Sequence, residues 1–128
     1  MINFNKNSSW DLTPIDLSTV NDMVKGLLID GEKMVMAFKT VRDQLIFTNE
    51  RIISIDVQGI TGKRKSFTSM PYSKIQFFTV QSPGFIELVP DSELEIMFSN
   101  GFVATFEFKG RVDIGEIGRM ISEYVLAK

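Results

Sequence analysis

Between Glu32 and Phe108 the apolar residues recur with a period of two, the spacing of a strand with one face turned inward. Met34, Met36 and Phe38 alternate with Lys33, Val35, Ala37 and Lys39. Leu45 and Phe47 follow a turn at Val41-Arg42-Asp43, and Ile53, Ile55 and Val57 alternate with Ser54 and Asp56. Further strands are expected at Phe67 to Met70, Ile75 to Gln81, Leu94 to Phe98 and Phe102 to Phe108. Asn100-Gly101 between the last two is a strong two-residue hairpin signal. Thr48-Asn49, Gly59 to Gly62, Pro71, Pro83-Gly84 and Pro90-Asp91 supply the other breaks.

Both flanks of this region read differently. Residues 1–12 are expected to form an extended arm, and residues 13–30 a helix with Thr13 as N-cap and Pro14 in its first turn. Val20, Met23, Val24, Leu27 and Leu28 then share one helical face, and Asp30-Gly31 ends the element. A second helix is expected over 112–127, with Ile114, Ile117, Ile121 and Tyr124/Val125 on one stripe. Gly115 and Gly118 weaken it but permit close approach to a sheet. The chain therefore predicts one mainly β domain over 1–128. Seven antiparallel strands spanning 32–108 form a barrel or orthogonal sandwich, a C-terminal helix caps it, and an N-terminal helix is added.

Several strands are apolar on both faces, which a barrel with one inward face does not need. If Met36, Phe38, Ile53 and Ile55 point inward, then Val35, Ala37 and Ile52 point outward, and Phe78, Met97 and Val103 add to them. An outward patch of that size is rare on a monomer, and covering it is worth about 25 cal/mol per Å². Val35, Ala37, Ile52, Phe78, Met97 and Val103 are thus candidate contacts between copies of the chain.

Composition narrows the chemistry. The 128 residues are 44% hydrophobic and 23% charged, too apolar for a disordered chain. Cysteine and histidine are both absent, which removes disulfides, thiol catalysis and the commonest metal ligands and general base. A formal charge of −2 argues against a dedicated nucleic-acid binder. No run is long and apolar enough to span a bilayer, and MINFNKNSSWDL lacks the core of an export signal. A cytoplasmic setting is the expectation. The N-terminal helix has few cations on its polar face, which disfavours a membrane-surface role.

The stretch DVQGITGKRKSF, Asp56 to Phe67, is the closest approach to a phosphate-binding signature. A P-loop places four residues between its glycine and the Gly-Lys pair, and follows the lysine with Ser or Thr opening a helix. Here two residues separate Gly59 from Gly62, Arg64 follows Lys63, and a strand continues. The stretch is a hairpin with a cationic tip. Asp91, Glu93 and Glu95 lack the spacing of a calcium loop, and carboxylates two apart on a strand do not define a glycosidase pair. No catalytic residue and no metal ligand set is expected.

Four motifs carry a resemblance. Thr48-Asn49-x-Arg51-Ile52-Ile53 opens a strand, and Asp56-x-Gln58-Gly59-x-x-Gly62-Lys63 forms a hairpin. Met70-Pro71-Tyr72-x-x-Ile75 enters the next strand, and Asp91-x-Glu93-Leu94-x-Ile96 lies in another. In this order, over about residues 12–126, they resemble the bacterial pleckstrin-homology-like family. The order of seven strands followed by a plugging helix is also that of the pleckstrin-homology superfold. The resemblance implies a non-enzymatic domain without cofactor that assembles into closed rings, five copies for a single-domain member. It also implies that polar surfaces between copies bind an unidentified protein or peptide. Arg51, Asp56, Gln58, Lys63, Arg64, Tyr72 and Ser73 are the candidate partner-binding residues that fall within or beside these motifs. The alternative function is binding of anionic lipid headgroups. It is disfavoured because Lys39 and Arg42 are separated by only a short turn and followed by Asp43-Gln44-Leu45, which breaks the basic pattern of eukaryotic lipid-binding members.

Overall fold

The computed structural model describes residues 8–58, 60–81 and 90–127. The first seven residues of the expected arm, Gly59 and the Pro83-Gly84 turn lie outside them. Among the described residues the strands are β1 (Ser8–Ile15), β2 (Met34–Lys39), β3 (Gln44–Thr48), β4 (Arg51–Gln58), β5 (Arg64–Pro71), β6 (Ile75–Gln81), β7 (Pro90–Phe98) and β8 (Val103–Arg111). They form one sheet in the order β5-β4-β3-β2-β1-β8-β7-β6. The sheet curls around a core closed by helix α2 (Ile114–Val125). Helix α1 (Asp22–Leu27) and a 3-10 turn (Leu17–Thr19) precede β2, and a second 3-10 turn (Tyr72–Lys74) joins β5 to β6.

The strand count is eight where seven were expected, because the end of the supposed arm is a strand. β1 pairs antiparallel with β2, Thr13 opposite Lys39 and Pro14 opposite Phe38, and parallel with β8, Leu12 opposite Phe108. Leu12 is buried in the core. The ladder on two sides and the burial of Leu12 outweigh the local Thr-Pro helix signal, so Thr13 and Pro14 are strand residues and not a cap. The helix expected over 13–30 is reduced to the 3-10 turn, capped by Asp16, and to six residues of α1, capped by the Asn21 side chain. Pro90-Asp91, read as a turn, starts β7, with Asp91 at φ 65° where the β7–β8 register shifts. The C-terminal helix starts at Ile114, where the Asp113 carboxylate accepts from the Glu116 amide.

β2, β3 and β4 are apolar on both faces because both are covered from within the chain. The main core holds Phe38, Phe47, Ile52, Leu94, Ile96, Phe106 and Phe108 against Ile114, Ile117, Met120 and Ile121 of α2. On the outer face of β2, β3 and β4, Ala37, Ile46, Ile53 and Ile55 are buried beneath Val20 and Val24, with Leu17, Met23 and Leu28 around them. The helical spacing of Val20, Met23 and Val24 therefore served a real apolar face. Gly118 answers the close-approach expectation: a Cβ there would stand 3.3 Å from Val80 Cγ1, so α2 lies close against β6.

This arrangement reverses the expected sides of β4. Ile52 lies in the main core, whereas Ile53 and Ile55 face the N-terminal layer. Neither Ala37 nor Ile52 has surface to offer another copy. Phe78 packs partly into the core, while its neighbour Phe77 remains 48% exposed. Val35 is exposed, and Met97 and Val103 are half-buried opposite one another on β7 and β8.

The covered outer face sets a stability expectation. Ile53→Ala should cost about 3 kcal/mol, the range of a large side chain deleted from a packed core. Ile29→Ala, at a residue 62% exposed, should change stability by less than about 0.5 kcal/mol. Urea denaturation followed by circular dichroism compares the two.

Candidate functional site

A buried ionic brace is built around Arg51. The β3–β4 connection is the tight pair Asn49-Glu50, held by the Thr48 hydroxyl, which accepts from the Glu50 and Arg51 amides at 3.0 Å each. The same hydroxyl donates to Glu32 Oε2 at 2.7 Å. Arg51 donates to both Glu32 oxygens, Nε to Oε2 at 2.9 Å and Nη2 to Oε1 at 3.0 Å. Its guanidinium also reaches the Leu27 carbonyl at 2.8 Å and Ser69 Oγ at 3.1 Å. Asn49 joins in: its Oδ1 accepts from the Lys33 amide at 2.8 Å and its Nδ2 donates to the Gly31 carbonyl. The Thr-Asn-x-Arg motif thus fastens the segment between α1 and β2 to the β3–β4 turn.

The Glu32 side chain is wholly buried and that of Arg51 is 18% exposed. Burial alone would raise the Glu32 carboxyl. The hydrogen bonds from Arg51, Thr48 and the Ile29 amide outweigh it and hold the group below its ordinary value. On the other side of the turn, the Tyr72 hydroxyl donates to the Thr48 carbonyl at 2.7 Å, and its ring stacks on Tyr124 of α2 with centroids 5.1 Å apart. Burial, then the neighbouring Tyr124 and Glu32, push the Tyr72 phenol far up. Arg51 and Tyr72, read as candidate binding residues, are therefore internal links of the fold.

The remaining candidates separate. Asp56 is buried in β4. Gln58 is exposed at the end of that strand, opposite Arg64. Lys63 and Arg64 are exposed on the β4–β5 hairpin, where Gly62 adopts φ 69°. Ser73 is exposed on the turn after β5. These residues do not converge on one cleft. Among the described residues no cluster of three or more Asp, Glu, His or Cys is placed to hold a metal ion.

A concave site does exist, at residues that sequence patterning did not single out. Among the described residues β5 is hydrogen-bonded on its β4 side and ends the sheet. Beyond it lies a groove of about 500 Å³ lined by Thr68 to Pro71, Lys74, and Phe98, Ser99, Asn100 and Phe102 about the β7–β8 turn. Met70 and Phe98 are buried at its floor and Phe102 is half-buried. Ser69, on this lining, is the residue that Arg51 reaches. A strand edge with no partner among the described residues, beside an apolar-floored groove, is suited to an extended peptide, through backbone pairing and alternate side-chain pockets.

Comparison with known proteins settles the family. The profile of the bacterial PH domain matches residues 3–125. The chain belongs to the bacterial PH domain family. It is 37% identical over 110 residues to the uncharacterized protein YjqA of Bacillus subtilis, covering 84% of this chain and 86% of that protein. Identity to the uncharacterized protein YozO of the same organism is 29% over 111 residues, with 87% and 94% covered. Among solved structures, a DUF1696-family protein with a pleckstrin-homology domain from Shewanella loihica is 29% identical at a TM-score of 0.75, covering 91% of this chain and 99% of that one. A pleckstrin homology domain from Shewanella amazonensis is 35% identical at a TM-score of 0.65, with 88% and 90% covered. The mainly β fold with a C-terminal helix is shared with these neighbours. No helix among the described residues is long and apolar enough to cross a membrane.

The brace makes stability depend on pH in a stated direction. Glu32 is held lower in the folded chain than its ordinary 4.5. Its contribution is complete above the unfolded value and is lost as pH falls through the folded one. Urea midpoints should drop below about pH 4.5 in the wild type. The drop should be shallower in Arg51→Met, in which the main force depressing Glu32 is gone.

Proposed function

We propose that this bacterial PH domain is a non-enzymatic interaction module that assembles into a closed ring, five copies in the simplest form, and takes partner proteins along its strand edges. The observation that carries the reading is the open sheet: among the described residues β5 and β6 stand at its two ends, each paired on one side only. Such edges are templates for another strand unless they are covered.

The two edges differ in character, which favours a head-to-tail contact over a two-fold one. Beside β5 lies the groove floored by Met70 and Phe98. At β6 an apolar row crosses the outer face, Phe77 opposite Met97 and Met97 opposite Val103. Neither chain-internal layer covers Phe77. Contact between unlike surfaces closes into a ring when the rotation per copy divides a full turn. Repetition of a weak peptide site around such a ring multiplies its avidity. The absence of cysteine fits a reducing cytoplasm as its setting.

Native mass spectrometry tests the assembly. The wild type is expected as one closed species that persists on dilution, and Phe77→Glu as a monomer with an unchanged circular dichroism spectrum. A wild-type monomer at every concentration, or a ring unaffected by Phe77→Glu, would overturn the reading.

A further inference from the structure

A second groove, of about 510 Å³, opens where β1 leaves β2. The β1–β2 ladder stops at Ile15 opposite Ala37, and the chain passes there into the 3-10 turn capped by Asp16. Among the described residues, Met34 to Met36 of β2 are therefore paired with β3 alone. The entry to α2 supplies the other lining, through Val112, Asp113, Glu116 and Ile117. The groove follows the seam between the two cores: Met36 packs on the main one, Ile15 and Leu17 on the outer one. Phe38 and Ile117 in its lining are buried, while Val35 is exposed.

That lining is apolar except for three exposed carboxylates, Asp16, Asp113 and Glu116, and it holds no cation. Lys33, Lys39 and Arg119 adjoin it in sequence without lining it, and Arg119 stands 3.8 Å from Glu123. Among the described residues none of the three acids has an ion-pair partner. Two of them are fixed by capping. Asp16 Oδ1 accepts from the Ser18 amide at 2.9 Å, and Asp113 Oδ1 from the Glu116 amide at 3.0 Å. The bonds from Ser18 hold the Asp16 carboxyl below its ordinary value. Asp113 and Glu116 also answer the positive end of the α2 dipole, so an anion gains nothing there. An uncharged apolar occupant would strip water from the carboxylates and replace it with nothing. A cationic occupant pairs with them.

We infer that this groove binds an extended basic segment of a partner protein, its aliphatic side chains on Val35, Met36 and Ile117 and its lysines or arginines on Asp16, Asp113 and Glu116. Backbone pairing along Met34 to Met36 favours the extended form. No lining residue is shared with the groove beside β5, whose one charged lining residue is Lys74. The site is thus independent of the strand-edge reading, and the charge of a peptide distinguishes the two grooves.

Amide NMR titration with the synthetic peptide Lys-Val-Lys-Val-Lys, beside Glu-Val-Glu-Val-Glu, tests the inference. The lysine peptide alone is expected to shift Val35, Met36, Glu116 and Ile117, and added salt should weaken its binding. Glu116→Lys changes an exposed side chain that caps nothing, and should weaken binding about fivefold, the upper worth of one exposed ion pair. Val35→Ser leaves the charge unaltered, and should also weaken it about fivefold while circular dichroism remains unchanged. No shift with peptide at about 1 mM would overturn the inference. So would equal binding of both peptides, or variants that bind as the wild type does. Shifts confined to Thr68 to Lys74 would place the peptide beside β5 and overturn it too. Shifts of Val35 and Met36 on dilution of the protein alone would do the same, since a second copy would then fill the groove.

Discussion

The layer that covers the outer face of β2, β3 and β4 is fastened by one ion pair. The Glu32 carboxylate is sealed from water, a state that is strongly unfavourable without a matched cation. Arg51 provides that cation in a forked geometry that uses both carboxylate oxygens. The same guanidinium holds the last carbonyl of α1, so the pair fixes where the N-terminal layer ends. Through Thr48, Tyr72 and Tyr124 the network runs on to the C-terminal helix. Residues from both flanks of the sheet are thus tied to one two-residue turn.

The brace explains why the sheet can be apolar on both faces without being an exposed hydrophobic surface. With the N-terminal segment held down, Ala37, Ile46, Ile53 and Ile55 gain a cover from their own chain. What remains uncovered is limited in area and distinct in character. Among the described residues there is an edge strand with a groove at β5, an apolar row at β6, and an acid-rimmed groove where β1 leaves β2. Thr48, Asn49, Arg51 and Tyr72 of the motifs serve the brace, which leaves the edges and turns uncommitted. These are the places where backbone groups and protruding side chains are still available.

Much of the fold was legible because alternation over β2 to β8 is regular and the Asn100-Gly101 turn is unambiguous. The stripe from Ile114 to Ile121 likewise named α2, and Gly118 its close approach to β6. β1 was missed because its pairing is with distant segments, while Thr13-Pro14 mimics a local helix start. The run Ile52-Ile53-Ser54-Ile55 is apolar on both faces, so a period of two cannot decide which side is inward. Only the N-terminal cover decides it. Arg51 was noticed within a motif, but its meaning depends on Glu32, 19 positions away, and sequence spacing gave no reason to join them. The groove was hidden for a related reason, since β5 and the β7–β8 turn meet only in three dimensions.

Hydrogen exchange of Arg51→Met beside the wild type tests most directly whether the brace holds the outer layer. Loss of the guanidinium should release amide protection in residues 22–33 while protection in β7 and β8 is retained, because those strands belong to the main core. Unchanged protection of α1 and of the segment leading to β2 would contradict the account, and would mean that apolar packing alone secures the layer.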